Sequence, residues 1–291
     1  MPAPPPPADA EALSPTAATA LRAAHAAADV HRRFFRRLDR VDYKGRNNPV
    51  TEADRAAEAA ILRVLSDSYP SYAVLAEESG QHGRAPQTWL VDPLDGTSNY
   101  ARGIPWFCVS IGLRDDAAGM VTGVILNPIL GEVYAAERGR GAFAASLGQL
   151  PPDPGRWADL SAWRRLKVSG ISTLADAGFA TGFPHDVTET RINIDHFVNI
   201  RLETAVVRAL GSAALGLAQV AAGQLEGYWE IGPKAWDFAA GMLLVAEAGG
   251  RVSDLRGRPL AGPGEGQLLA TNGVIHDAAV AVFARGRSGL G

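Results

Sequence analysis

Three apolar stretches, residues 107–113, 119–126 and 132–136, follow one another with only turn-length breaks at Asp115-Asp116 and Asn127-Pro128. Short apolar runs joined by polar, proline-bearing turns read as consecutive antiparallel strands in a meander. Such a sheet needs cover for its apolar faces, and the chain supplies it upstream. Ser14-Pro15 is an N-cap followed by proline at the first helical position. It opens an Ala-rich helix expected to run to about Asp39. The arginines at its end (Arg32, Arg33, Arg36, Arg37) suit a helix C-terminus. Thr51 opens a second helix, residues 52–68, stopped by Pro70. Residues 72–76 and 89–91 are short apolar strands that each end at acidic residues.

Beyond the meander, residues 146–160 are punctuated by Pro151-Pro152-Asp153-Pro154-Gly155, a boundary or a surface insertion. Helical and strand patterns then alternate: helices over 191–208 and 212–222, a strand over 225–231, and a helix over 236–248 closed by Gly249-Gly250. Alternation of this kind gives an α/β second half. With 291 residues, a prior of about 150 per domain allows two domains or one large layered one. The expected organisation is a Pro-rich leader over 1–12, helices and a mainly antiparallel sheet over 13–145, the 146–160 segment, and a C-terminal α/β half over 161–291.

Composition excludes several classes. Hydrophobic residues make up 47% and charged residues 20%, as in a globular protein, and the formal charge of −3 offers no basic excess for a nucleic-acid backbone. No nucleic-acid partner is expected. Cys108 is the single cysteine, so neither an internal disulfide nor a thiolate metal cluster is available. Its setting, Trp106-Phe107-Cys108-Val109-Ser110-Ile111, reads as a buried strand. No apolar run reaches membrane-spanning length, and the start Met1-Pro2-Ala3-Pro4 is not a secretory signal. A cytoplasmic protein without a membrane partner is the expectation. Gly139-Arg140-Gly141 only loosely matches a dinucleotide fingerprint and lacks a following helix. The histidines show no paired ligand spacing, and Gly182-Phe183-Pro184-His185 reads as a plain surface loop, with a loop near the site as the alternative.

The chemistry concentrates in Trp89-Leu90-Val91-Asp92-Pro93-Leu94-Asp95-Gly96-Thr97-Ser98-Asn99-Tyr100. An apolar strand delivers two carboxylates onto a turn that Pro93 stiffens and Gly96 opens. Converging carboxylates repel unless a proton or cation lies between them, and hard oxygen donors select Mg²⁺, Mn²⁺ or Ca²⁺. Read alone, an Asp-x-x-Asp turn serves equally as a helix cap. Two further segments weigh against that: Ala76-Glu77-Glu78-Ser79-Gly80, again at a strand end, and Lys234-Ala235-Trp236-Asp237, before an apolar helix. Glu77, Asp92, Asp95 and Asp237 together carry more negative charge than one ion needs. They point to two or more divalent ions and a phosphate substrate.

These segments resemble the inositol monophosphatase family of Mg²⁺-dependent, lithium-sensitive phosphatases. Four blocks carry the resemblance, from Lys44 to about Gly250: Asn48-Pro49-Val50-Thr51-Glu52-Ala53-Asp54, Glu77-Glu78-Ser79, Asp92-Pro93-Leu94-Asp95-Gly96-Thr97, and Trp236-Asp237 with Glu247-Ala248-Gly249-Gly250. The sequence departs from the usual family pattern at Ala76, Ser98 and the run Ile231-Gly232-Pro233-Lys234-Ala235, without removing a ligand.

The resemblance implies a layered αβαβα sandwich of the α/β (α+β) class and, commonly for the family, a homodimer. It implies two or three Mg²⁺ ions, with Mn²⁺ as a substitute. Glu77, Asp92 and the Leu94 carbonyl would hold the first. Asp92, Asp95 and Asp237 would hold the second, and a third would sit near Glu77 among waters. Thr97 would contact the water on the first ion and be oriented by Asp54, for which Thr51-x-x-Asp54 offers a plain capping-box alternative. Glu77 and Thr97 would help deprotonate the attacking water. Gly96 and Thr97 would offer backbone N–H groups to the phosphate. Gly211, Ser212, Ala213 and Glu230, with Asp95, would face the alcohol, and Lys44 would lie on a mobile loop near the metals.

The activity implied is hydrolysis of an inositol monophosphate to inositol and phosphate. The substrate class is a small phosphorylated polyol or amino alcohol. Histidinol phosphate, fructose 1,6-bisphosphate and 3′-phosphoadenosine nucleotides are the alternatives on the same scaffold. Glu226-Gly227-Tyr228-Trp229-Glu230 favours a hydroxyl-rich substrate, and histidinol phosphate stays open because a carboxylate also suits an amine. A non-catalytic binding protein would show a lost metal ligand, and none is missing.

Overall fold

The computed structural model describes residues 12–286 except 39, 46, 47, 185, 261 and 263–265. The leader up to residue 11, His185, and the side chains of Lys44 and Asn48 lie outside the described residues.

Helix α1 (Pro15–Phe34) starts where the cap predicts, with Ser14 accepting from the Ala17 N–H. It ends five residues before Asp39. Arg36 takes a left-handed backbone (φ 61°), and its guanidinium donates to the Gly103 carbonyl instead of continuing the helix. A hairpin that the sequence pattern does not announce follows, β1 (Val41–Gly45) with β2 (Asn48–Thr51). It places Lys44 in a strand. Helix α2 (Glu52–Ser68) matches its expected span.

An eight-stranded sheet comes next. Its strands are β3 (Ala73–Ala76), β4 (Gly80–His82), β5 (Gln87–Asp95), β6 (Cys108–Asp115), β7 (Gly119–Asn127), β8 (Glu132–Glu137), β9 (Gly141–Ser146) and β10 (Arg164–Arg165), with the short helix α3 (Thr97–Ala101) between β5 and β6. The expected meander is β6-β7-β8. Every pairing in this sheet is antiparallel except β3 with β5, which is parallel and sets Ala76 beside Val91. Strand β5 runs past its expected end. It continues through Asp92 and Asp95 across a bulge at Pro93-Leu94, where proline has no N–H to give the ladder. Residues 146–160 form short 3₁₀ turns, with Trp157 buried and edge-on to His25 of α1 at 5.0 Å.

The second sheet has the order β12-β11-β13-β15-β14, built from β11 (Gly178–Thr181), β12 (Val206–Arg208), β13 (Gly227–Ile231), β14 (Arg251–Ser253) and β15 (Gln267–Thr271). The single helix expected over 191–208 is instead α5 (Ile194–Glu203) and strand β12, preceded by the short α4 (Val187–Thr190). Positive φ at Arg191 and Asn193 breaks the helix, and Val206-Val207 pairs parallel to β11. Helices α6 (Ala213–Ala221), α7 (Ala235–Glu247) and α8 (His276–Phe283) complete the chain.

Three apolar clusters fill the four interfaces between five layers. α1 and α2 bury alanines and Leu21, Ile61 and Leu65 against Val91, Val109, Ile111 and Val124 on one face of the large sheet. α6 and α7 fill the space between its other face and the second sheet. α5 and α8 close the far side on Phe179, Trp229 and Leu269. The layering is therefore αβαβα. Gly112 of β6 and Gly123 of β7 are register partners and let α7 lie close on the sheet. A Cβ at Gly123 would stand 2.8 Å from the Ala240 carbonyl oxygen, and one at Gly112 3.0 Å from the Ala239 Cβ. This seat sets the height of α7 and of Asp237 in its first turn.

Candidate active site

One cavity of about 310 Å³ opens where both sheets end, lined by residues from both halves of the chain. Glu77, Asp92, Leu94, Asp95, Gly96, Thr97, Gly211, Ser212, Ala213, Glu230 and Asp237 all border it. Strand register explains the first pair. Since Ala76 lies beside Val91 in parallel strands, Glu77, just past the end of β3, stands next to Asp92 of β5, and the Glu77 N–H donates to the Val91 carbonyl at 3.1 Å.

The bulge then turns Asp95 toward the N-terminus of α6. Asp95 accepts from Ser212 Oγ at 2.5 Å and from the Ala213 and Ala214 N–H groups at 3.3 and 2.8 Å. Even so, burial pushes Asp95 up to about 6. Asp92 accepts the Leu94 N–H at 2.9 Å and is raised well above the usual carboxylate range, first by burial, then by Glu77, Asp95 and Asp237. Asp237 lies inside the first turn of α7 rather than ahead of it. It accepts the Lys234 N–H at 2.6 Å, so it caps the helix and borders the cavity at once. Burial and then the Glu230 charge raise it strongly.

Among the described residues, no three His, Cys, Asp or Glu side chains already form a set that could hold a metal ion. The carboxylates share a cavity and destabilise one another's charge without closing on one point. That is a donor set of hard oxygens whose repulsion a divalent cation relieves, and it fits Mg²⁺ or Mn²⁺ better than a softer ion.

Gly96 adopts φ 97°, and a Cβ there would press on the Trp106 carbonyl oxygen at 3.0 Å and the Gly211 carbonyl oxygen at 3.1 Å. It thereby starts α3 at the cavity wall with no side-chain cap on its first turn. Thr97 Oγ1 lies 3.0 Å from Asp54 Oδ1 and 3.0 Å from the Leu94 carbonyl oxygen. Asp54 Oδ2 accepts from the Thr51 N–H and Oγ1, each at 2.7 Å. The capping and orienting readings of Asp54 thus hold together, one carboxylate oxygen to each.

Glu230, near the end of β13, borders the same cavity and accepts from the buried Tyr228 hydroxyl; burial pushes it up to about 7. Sequence reasoning missed several wall residues. Gly182 and Phe183 belong to the cavity rather than to a plain surface loop, and the Gly182 carbonyl is held by Asn193 Nδ2 at 2.7 Å. Asn99 Nδ2 donates to the Trp106 and Leu210 carbonyls and joins α3 to the Gly211 turn. Tyr228, two residues before Glu230, was legible as its neighbour on one strand face. Phe183 carried no such signal, because a distant segment brings it to the site.

A five-layer sandwich with an acidic cavity at its strand ends offers a place for divalent ions and a phosphate group. The chain belongs to the inositol monophosphatase family, whose model matches residues 12–287. An inositol-1-monophosphatase from Mesorhizobium japonicum is 43% identical over 238 residues, covering 81% of this chain and 80% of that protein. Nus factor SuhB from Pseudomonas aeruginosa is 39% identical over 255 residues, covering 84% and 87%. The solved inositol monophosphatase from Anabaena superposes with a TM-score of 0.79 at 37% identity, over 93% of this chain and 95% of that one.

Proposed function

We propose that the protein is a Mg²⁺-dependent phosphomonoesterase that hydrolyses inositol monophosphate to inositol and phosphate. The observation that carries this reading is the meeting of Glu77, Asp92, Asp95 and Asp237 on one cavity beside the first turn of α3. Divalent ions bound there supply charge for the phosphate oxygens and lower the pKa of a water.

The chain's own groups do the rest. A hydroxyl has one proton, so Thr97 donates to one acceptor at a time. Donating to Asp54, Thr97 can take a proton from the attacking water as it passes its own proton to the Asp54 carboxylate. Glu77 lies beside Asp92 as a further acceptor. The Gly96 and Thr97 amides orient the phosphate, as helix N-termini do for anions. Asp95, anchored on α6, and the Gly211-Ser212-Ala213 turn border the space for the alcohol. Glu230, with one oxygen engaged by Tyr228, keeps the other for a substrate hydroxyl. Water attacks phosphorus and gives up a proton through Thr97 to Asp54, the ester P–O bond breaks, and the leaving alkoxide takes a proton from a second water.

The test is phosphate release from inositol 1-phosphate and histidinol phosphate side by side, with Mg²⁺ and with a chelator. Chelator-sensitive release favouring inositol 1-phosphate is the expected result. Preference for histidinol phosphate would keep the metal site and reassign Glu230 to an amine. No release from either, or from bisphosphate and nucleotide substrates, would overturn the reading.

A further inference from the structure

Helix α2 carries a second buried carboxylate one turn beyond Asp54. Glu58 is 4% exposed, and its Oε2 accepts the Glu78 N–H at 2.8 Å. Residues four apart lie one above the other on a helix face. Asp54 and Glu58 therefore form a rack facing the segments that follow β3 and β5. The upper carboxylate reaches Thr97, which follows β5, and the lower one reaches Glu78, which follows β3. Burying a carboxylate costs free energy unless it is well bonded, so a buried glutamate spent on one backbone amide marks a place where that amide must not move.

We propose that Glu58 is a positioning residue for Glu77: by clamping the Glu78 amide it fixes the peptide that follows Glu77 and so the direction in which the Glu77 carboxylate enters the cavity. The inference rests on the reading in which Glu77 holds a divalent ion. Glu58 itself touches neither ion nor substrate. A purely structural Glu58 would move thermal stability alone, whereas a positioning role moves ion affinity. It also depends on an acceptor oxygen at that place rather than on the charge.

The experiment is calorimetric titration of the full-length protein with Mn²⁺, no substrate present, for wild type, Glu58→Met, Glu58→Gln and Glu77→Gln. Glu58→Met keeps the length and removes the acceptor; it is expected to weaken Mn²⁺ binding about 10- to 100-fold, as loss of a hydrogen bond behind a metal ligand does. Glu58→Gln keeps an acceptor oxygen and is expected to stay close to wild type. Amide exchange at Glu78 should accelerate in the Met variant and not in the Gln variant. Wild-type affinity in a folded Glu58→Met protein overturns the inference. Equal losses in the Met and Gln variants also overturn it, since they assign the effect to charge. Should Glu58→Met not fold, Glu58→Asp, one methylene short of the amide, takes its place with the same expected loss and the same overturning result. If wild type binds no Mn²⁺, or Glu77→Gln binds it as well as wild type, the metal-site reading itself fails and the positioning role falls with it.

Discussion

The two oxygens of Asp54 serve two different segments: Oδ1 lies 3.0 Å from the Thr97 hydroxyl, and Oδ2 accepts from Thr51, which begins α2. A single carboxylate thus ties the start of a helix to the residue read as proton acceptor for the attacking water. Capping needs only an acceptor oxygen, whereas accepting from Thr97 needs Oδ1 without a proton, and burial pushes Asp54 up to about 6.

Asp54→Asn separates those jobs. The amide oxygen can still cap α2, but its NH₂ presents a donor where Thr97 needs an acceptor. We expect kcat to fall about 100-fold or more, on the scale of a lost proton-transfer partner, with KM little changed. Asp54→Ala should in addition cost roughly 1 kcal/mol of stability through the lost cap. Steady-state kinetics and denaturant unfolding separate the two effects.

Asp95→Asn removes one anionic ligand and places an NH₂ against the Ala213 and Ala214 amides, which are themselves donors. Turnover should drop by orders of magnitude. The circular dichroism spectrum should stay native, with a modest fall in Tm from the loosened N-terminus of α6. Activity near that of wild type would remove Asp95 from the site.

Gly123→Ala tests the seat of α7. The new methyl would meet the Ala240 backbone, which has no rotamer to yield. Lifting the helix should cost about 1–3 kcal/mol. Because Asp237 sits in the first turn of that helix, divalent-ion affinity should weaken as well. A variant with full stability would show that the contact relaxes freely.

The pH dependence of metal stabilisation follows from the raised carboxylates. Asp54 and Asp95 reach about 6 and Glu230 about 7, each through burial first. A group whose pKa is raised on folding stabilises the fold below its unfolded value, near 4, and loses that contribution as pH climbs through the folded value. The metal-free protein should therefore lose this stability between about pH 4 and 7. Bound Mg²⁺ needs the ionised forms and offsets their repulsion, so the rise in Tm on adding Mg²⁺ should be larger at pH 8 than at pH 5. An equal Mg²⁺ shift at both values would count against a carboxylate site.

Local signals explain why much of the molecule could be read from sequence. The Ser14-Pro15 and Thr51 caps, the β6-β7-β8 meander and the Gly249 stop each depend on neighbouring residues, and each stands where expected. The β1-β2 hairpin, the division of 191–208 and the continuation of β5 past Asp92 were not legible. The first hangs on a bulge between Tyr43 and Gly45, the second on left-handed backbone at Arg191 and Asn193, residues without a glycine signal, and the third on pairing with Cys108 across the sheet.

What the sequence by itself determined was the chemistry available: four acidic residues at strand ends and helix starts, a proline-stiffened turn and a glycine that opens it. Their identities follow from the covalent chain and their local periodicity. What only the tertiary structure decided was which groups meet. Parallel register put Glu77 beside Asp92, close packing over Gly112 and Gly123 set the height of Asp237, and the N-terminus of α6 received Asp95. Those juxtapositions join residues far apart in the chain, and they arise from register and packing, which one-dimensional pattern does not encode.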